Sequence, residues 1–480
     1  MSKLYIFGIG GTGARVIRSL TMLLAAGVDC GADTIVPIII DRDVANEDLN
    51  RTKKLIDNYI DVRQKAKPQK GFFKTDIQLL NGELLLPLQD NTQRFETFIG
   101  KSTMSNENKA LMEMLFSKDT LNLDMSAGFQ GNPNIGSVAL NQFNNSNIFS
   151  TFANNFNAGD KIFIISSIFG GTGASGFPLL RKTLQTPNVT DAQGNVLPNW
   201  GLINNAPIGA ISVLPYFNVQ AATDDSLVNS DTFIDKTKAA LSYYKSEDRK
   251  LDTLYYIADR QATVYDHNKG GHKQENNAHF VELASALSII DFVDPNKAAT
   301  NINRDDAGNI QNTTYKEFGI RKQNRKQDQN AEFNFSSLED DTKNLIVNPL
   351  TRFLLFRNYM EYTFDKQVKK QPYSKKHFRD NFRNNSTIKK LEEIQSDFFK
   401  WLEEMEQQDR SFTPFRLTSK KATDIVKGEI LLNTPKDFRY TNWATVDNQL
   451  NRISSKVKSV ESEKRFIELF NLATEKLINF

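Results

Sequence analysis

The stretch Phe169-Gly170-Gly171-Thr172-Gly173-Ala174-Ser175-Gly176 has the make-up of an anion cradle. Beyond Phe169, only Thr172, Ala174 and Ser175 carry side chains, so bare backbone amides can approach phosphate oxygens. The apolar run Ile162-Phe163-Ile164-Ile165 before it reads as a buried strand, and the residues after it can be helical. A glycine-rich turn from strand to helix holds phosphate through its N–H groups and the positive end of the helix dipole. A Walker A loop would add a lysine here, and there is none. A valine at Gly173 is expected to fill the phosphate's place while leaving the fold intact.

Two further loops are of the same kind. The strand Leu4 to Phe7 leads into Gly8-Ile9-Gly10-Gly11-Thr12-Gly13 and then a helix with the inward stripe Val16, Ile17, Leu20, Leu23 and Leu24. Gly128-Phe129-Gln130-Gly131-Asn132-Pro133-Asn134-Ile135-Gly136 has glycines and an Asn-Pro turn before a helix from Ser137. Alone, this last loop is an ordinary surface turn; with the other two it becomes a third candidate for the same ligand. The β-branched run Ile35 to Ile40, with Pro37 inside it, ends on Asp41-Arg42-Asp43. Read with the first loop, it makes a dinucleotide fingerprint in which Asp41 takes a ribose hydroxyl. It is also similar to the ThiF-like adenylating enzymes that activate ubiquitin-like proteins, because Leu49-Asn50-Arg51 comes next. Those enzymes need a downstream cysteine or a CxxC pair, and the only cysteine is Cys30. A Rossmann NAD-binding or adenylating enzyme is therefore the alternative reading.

The three loops together resemble the tubulin/FtsZ superfamily, with its GxGGxG-type first loop, GxGxNPxxG-like third loop and GGGTGxG fourth loop, in that order. Phe169 replaces the leading glycine of the fourth loop, and the first and third loops are further apart than in FtsZ. The resemblance is thus to a divergent bacterial tubulin-like protein and not to FtsZ itself. It spans roughly residues 1–300, with matches confined to the loops. It implies GTP or GDP as ligand. The inner phosphates would lie on Gly8, Gly10, Gly11, Thr12 and Gly13, and the outer ones on Gly170, Gly171, Thr172, Gly173, Ala174 and Ser175. Gly131 and Asn132 would stand near the terminal phosphate. Asp41 and Asp43 would hold magnesium through water, with plain solvation as the other reading.

The same resemblance places the start of a long central helix, near 277–292, against the base. Asn276, Asn277 and Phe280 then become candidates to hydrogen-bond and stack on guanine, the other reading being that the asparagines cap the helix. His279 and Glu282 share a helix face, but nothing nearby completes a metal's coordination set. The family's catalytic loop comes after this helix with an NxDxxD-like pattern that serves the next subunit's site. Here Asp291, Asp294, Asp305 and Asp306 are the candidate acids, and none fits that pattern closely. Nucleotide binding is therefore better supported than hydrolysis, and head-to-tail self-association with slow or assembly-dependent GTPase activity is the expectation. A nucleotide-stabilised interaction protein without turnover is the second alternative.

The elements that must position these residues alternate along the chain. Strands are expected at 207–215 and 253–257 and a helix near 231–246, which with the earlier strands predicts an α/β, doubly wound parallel sheet. The domain reading is 1–295 for the nucleotide-binding unit, 296–335 for a hairpin and linker, and 336–480 for an α+β to mostly helical C-terminal region. Asp305-Asp306-Ala307-Gly308-Asn309 reads as the hairpin turn and Arg321 to Asn330 as the linker. Helices are expected through Leu350 to Tyr359, through Leu391 to Met405, and from Leu450 through Ile453, Val457 and Val460 towards Phe480. Their stripes serve the core, or else a protein partner. Lys366, Lys369, Lys370, Lys375, Lys376, Arg379 and Arg383 interleave with Tyr373 and Phe378, which is read as a solvated basic face.

The chain is 480 residues long, 39% hydrophobic and 24% charged, with a net charge of +3. That balance implies neither nucleic acid nor a membrane surface as partner. One cysteine excludes an intramolecular disulfide framework, and no apolar run is long enough to span a bilayer. The expectation is a cytoplasmic protein of two or three domains.

Overall fold

The computed structural model describes residues 2–88, 94–125, 128, 129, 131–220, 233–246, 250–266, 271, 275–306, 308–318, 332–375, 377, 378, 381–422, 424–427 and 443–478. The expected linker Arg321 to Asn330 lies outside them, as do His267, His272, Lys376 and Arg379. The fold is α/β, built on a wholly parallel sheet of seven strands. In chain order the strands are β1 (Lys3–Ile9), β2 (Thr34–Ile40), β3 (Asp76–Ile77), β4 (Lys161–Ser167), β5 (Ile208–Val213), β6 (Thr253–Ile257) and β7 (Thr314–Glu317). Their order in space is β3-β2-β1-β4-β5-β6-β7. The central strands are nearly continuous runs of Ile, Val and Phe because both faces of the sheet are covered.

Pro37 is tolerated in β2 for a specific reason. Ile35 accepts from the Gln78 N–H and Ile39 donates to the Leu84 carbonyl on the same edge, so the missing N–H of Pro37 falls between β3 and the 84–86 segment. At the far edge, β7 alternates half-buried and exposed residues, Thr314 to Glu317, and pairs with β6. The segment 296–335 thus supplies the sheet's last strand as well as the tight turn at Asp305, where the Gly308 N–H donates to the Asp305 carbonyl.

One face carries α1 (Gly10–Ala25), α2 (Glu47–Ala66) and, further along the chain, the central helix α7 (Phe280–Val293). The other carries α3 (Pro133–Ala139), α4 (Asn147–Asn155), α5 (Gly171–Leu184) and α6 (Phe233–Ser246). Pro178 lies inside α5 and cannot donate to the Ala174 carbonyl. Tyr244 of α6 donates to that carbonyl instead, at 3.0 Å, which fastens α6 to α5. Helix α7 is buried on all sides, from Phe280 beside the loops to Phe292 against Gly209 at the start of β5.

The C-terminal helices are α8 (Asp340–Tyr359), α9 (Ser386–Glu406), α10 (Trp443–Ser454) and α11 (Ser462–Leu477). They share one apolar cluster with α1, α2 and α7, in which Phe72 packs on Phe353 and Phe356, and Phe356 stacks on Phe470 at 4.2 Å between ring centres. The single last helix expected through Val457 and Val460 is in fact two. Arg465 of α11 donates to the carbonyls of Ser454, Val457 and Ser459, satisfying the open end of α10 and the turn after it. Tyr373 and Phe378, expected on a basic face, are buried, and Arg383 is paired with Asp365 and Glu392. No helix among the described residues is long and apolar enough to cross a membrane.

Candidate functional site

In space, β1 has β2 on one side and β4 on the other, so the chain winds in opposite directions from the boundary between β1 and β4. That boundary opens a crevice at the carboxyl ends of the strands, where open α/β sheets bind ligands. The first loop leaves β1 for one face and the fourth leaves β4 for the other. They meet over the crevice: a methyl placed on Gly10 would lie 3.4 Å from the Thr172 Cβ. The third loop closes the group, because a methyl on Gly171 would lie 3.1 Å from the Gly131 nitrogen and 3.2 Å from that of Asn132.

Each of these loops opens a helix, and none of the three N-caps, Ile9, Asn132 and Gly170, closes its helix with a side-chain hydrogen bond. The first N–H groups of a helix have no partner within it, so Gly10, Gly11 and Thr12 in α1 and Gly171, Thr172 and Gly173 in α5 face the crevice end with donors to offer. Ala174 is different, since its N–H already bonds the Gly170 carbonyl. Ser175 is also turned away: it is buried, and its Oγ donates to the Gly171 carbonyl at 2.7 Å.

The glycines divide into two kinds. Gly10 and Gly131 have φ of +71° and +74°, the left-handed region in which a side chain is strained. Gly8, Gly13 and Gly173 serve close packing. A methyl on Gly13 would meet the Gly8 carbonyl carbon at 2.4 Å, and one on Gly173 would meet the Ser167 carbonyl oxygen at 2.4 Å. The expectation that a valine at Gly173 spares the fold is corrected on this ground: its Cβ collides with β4 before it reaches any ligand. A methyl on Gly170 would lie 3.1 Å from the Ser167 Oγ.

A buried ion network underlies the first loop. Arg15 of α1 donates to Glu282 at 2.6 Å, Asp48 at 2.8 Å and Thr12, and also to the hydroxyl of Tyr216. Burial opposes the charge on Arg15, but Tyr216, Glu282 and Asp48 outweigh it and raise its pKa. Nearby, Glu404 of α9 accepts from Arg18, from Arg51 and from the Ala278 N–H. Burial alone would raise the Glu404 carboxyl, yet Arg18 and Arg51 hold it below its ordinary value. The Asn276 N–H bonds Asp48, so the turn before α7 is tied both to the first loop and to the C-terminal helices. Asn277 is exposed, and Asn276 half-exposed, at this turn. Phe280 does not join them: it is 4% exposed and packs on Phe318, Phe333 and Phe412. The stacking role expected of it is corrected to a core contact. His279 is the N-cap of α7, its Nδ1 accepting from the Val281 N–H while Glu282 accepts from the His279 N–H. Burial lowers its pKa to about 4, so it is neutral near pH 7.

Asp41 and Asp43 are both buried in the loop after β2. The Asp43 N–H donates to Asp41, and one Asp43 oxygen accepts from the Gly271 N–H at 2.7 Å. Burial raises the Asp41 pKa to about 7, with the Asp43 charge adding to it. Among the described residues no group of three or more His, Cys, Asp or Glu could hold a metal. A magnesium ion would therefore depend on phosphate oxygens and water, with Asp41 as the acid left with an ill-satisfied charge beside it.

The candidate acids stand elsewhere. The helix α7 has 14 residues, which at 1.5 Å per residue separates its ends by roughly 20 Å. Asp291 lies near its far end, where it accepts from Tyr255, Lys297 and Lys316. Asp294 caps the turn after α7 through the Asn296 N–H, and Asp305 accepts from Asn309. Asp306 is exposed beside it. Asp291 and Asp294 are thus at the end of α7 away from the loops. Asp305 and Asp306 follow Arg304, which bonds Asp252 and the Asn205 and Ala206 carbonyls at the amino ends of β6 and β5, the opposite end of the sheet from the crevice. A residue not signalled by the sequence does border the loops: Lys236 of α6, whose Nζ donates to the Gly131 carbonyl at 3.2 Å.

No protein-family model matches the chain, and no curated protein matches it. Among solved structures, the chain is similar to CetZ2 from Haloferax volcanii, in a GTPγS-bound protofilament, at 13% identity and a TM-score of 0.28. That match covers 62% of this chain and 62% of the other. It is also similar to CetZ from Methanosaeta thermophila at 14% identity and a TM-score of 0.25, covering 60% of this chain and 51% of the other.

Proposed function

We propose that the chain is a tubulin-like, cytoplasmic guanine-nucleotide-binding protein. The single observation behind this reading is the convergence of three uncapped helix N-termini on the crevice between β1 and β4. A Rossmann dinucleotide or adenylating site needs one such turn, and a Walker A site adds a lysine to one; several turns without a lysine can spread backbone donors along a row of phosphate oxygens. Gly10, Gly11 and Thr12 bind the inner phosphates, and Gly171, Thr172 and Gly173 the outer ones. Gly131 and Asn132 cover the end of the chain of phosphates. A bound nucleotide would supply the oxygens for a magnesium ion, and Asp41 and Asp43 are the residues that would hold the ion's water. Asn276 and Asn277 present both donors and acceptors to guanine.

Turnover within one chain is not expected, because Asp291, Asp294, Asp305 and Asp306 lie away from the loops. A head-to-tail neighbour would bring such an acid to the site, and a head-to-tail contact whose rotation does not close makes an open filament. Asp291 already accepts from three groups, which favours the second reading, binding without turnover. The test is phosphate release from GTP against protein concentration, followed alongside light scattering. Activity per chain should be negligible in dilute protein and rise only where scattering rises. Fast turnover that stays first order in monomeric protein would overturn the shared-site reading.

A further inference from the structure

We propose that Lys236 reads the terminal phosphate, making the site prefer a nucleoside triphosphate over a diphosphate. The inference rests on the reading of the site as a nucleotide site and deepens it. The three loops contain no lysine or arginine at all. Arg15, just beyond the first loop, is engaged by Asp48 and Glu282. The cation that a Walker A loop would supply from within is thus absent from the loops themselves.

Lys236 comes from a different element. It stands on the first turn of α6, and α6 is held against α5 by the bond from Tyr244 to the Ala174 carbonyl. Its ammonium lies 3.2 Å from the carbonyl oxygen of Gly131, and the nitrogen of that same residue borders the space over Gly171. The lysine therefore sits where the third and fourth loops face each other. Among the described residues it is paired with no carboxylate, and a neutral carbonyl is its one hydrogen-bond partner. Burial lowers its pKa, and among the described residues no neighbouring acid acts against that. A half-buried ammonium with two N–H donors to spare, beside loops that offer only backbone dipoles, is the arrangement that an extra phosphate charge would complete.

The test compares GTPγS and GDP binding by titration calorimetry in the full chain and in Lys236→Met and Lys236→Arg. The methionine keeps the stem and removes the charge. A charge-assisted hydrogen bond to phosphate accounts for roughly tenfold or more in affinity, so Lys236→Met should lose that much for GTPγS. Its GDP affinity should change less than about twofold. Lys236→Arg should recover most of the GTPγS affinity, and melting temperatures should confirm that both variants fold. Lys236→Gln serves in place of the methionine variant if that one is unstable. Equal losses for the two nucleotides, or no loss for either, would overturn the role of Lys236 while leaving the nucleotide reading in place. A native chain that binds neither nucleotide would overturn both.

Discussion

Substituting alanine at Gly171 and, separately, at Gly173 should divide ligand binding from folding, although the two glycines are two residues apart in one loop. At Gly171 the new methyl meets the nitrogens of Gly131 and Asn132 at 3.1 and 3.2 Å, so those atoms need yield only a few tenths of an ångström. Alanine also improves the helical propensity of α5 by up to about 1 kcal/mol, and the net change in stability should stay within about 1 kcal/mol. The methyl nevertheless stands between the third and fourth loops, where the outer phosphates would lie. Losing one charge-assisted contact there costs about 1.5–3 kcal/mol of binding. At Gly173 the methyl meets the Ser167 carbonyl oxygen at 2.4 Å and its nitrogen at 2.9 Å. Both contacts are under 3.0 Å, closer than a Cβ can stand unless the strand itself shifts, so overpacking should cost roughly 3 kcal/mol before any ligand is added. The assay is thermal unfolding with and without GTP. A ligand at a hundred times its dissociation constant stabilises the native protein by about 2.7 kcal/mol. Gly171→Ala should melt like the native chain without GTP and gain little when GTP is added; Gly173→Ala should melt several degrees lower from the outset. A Gly171→Ala protein that keeps the full GTP-induced shift would refute the placement of phosphate between these loops.

Asp41, with its pKa raised to about 7 by burial and by Asp43, binds a proton in the folded state that the unfolded chain releases near pH 4. The folded state therefore holds more protons between those values, and the stability this group contributes is lost as pH rises from about 4 to 7, by up to roughly 4 kcal/mol. Asp41→Asn should abolish that component, gaining stability over the native chain in urea unfolding at pH 8 and little at pH 4. Equal differences at the two pH values would show that Asp41 is not held uncharged. Glu404→Ala leaves buried Arg18 without its carboxylate and strips Arg51 of one of two, so unfolding should cost roughly 3–5 kcal/mol less. A loss under about 1 kcal/mol would mean that the network does not hold α9 to α1 and α2.

The three glycine-rich loops were legible as strand-to-helix or loop-to-helix turns because their signal is local: several glycines at such a turn need no knowledge of distant contacts. The strand at 253–257 and the helix from Phe280 were legible for a similar reason, an unbroken apolar run with turns on either side. What escaped depends on tertiary partners. Phe280 comes soon after two asparagines, but its ring direction is set by Phe318, Phe333 and Phe412. The stop between α10 and α11 is made by Arg465, whose bonds reach back to Ser454. Strand β7 is polar because it is an edge, so its residues lack the apolar run that marks an inner strand. The Arg15 network joins residues up to 386 positions apart, as in Arg18 to Glu404, and its one local trace is a pair of arginines in an otherwise uncharged helix. Lys236 left no trace, being one charged residue on a helix with several.

Guanine nucleotide binding in the crevice between β1 and β4 is addressed directly by titration calorimetry of nucleotide-stripped protein with GTP, ATP and NAD. Asn276 and Asn277 can match the donor and acceptor edge of guanine, and a site built for such groups discriminates strongly against a base that lacks them. GTP should bind at one site per chain, with ATP weaker by at least roughly tenfold and NAD silent. Equal affinity for ATP, or binding of NAD in place of GTP, would contradict the assignment of this crevice to a guanine nucleotide.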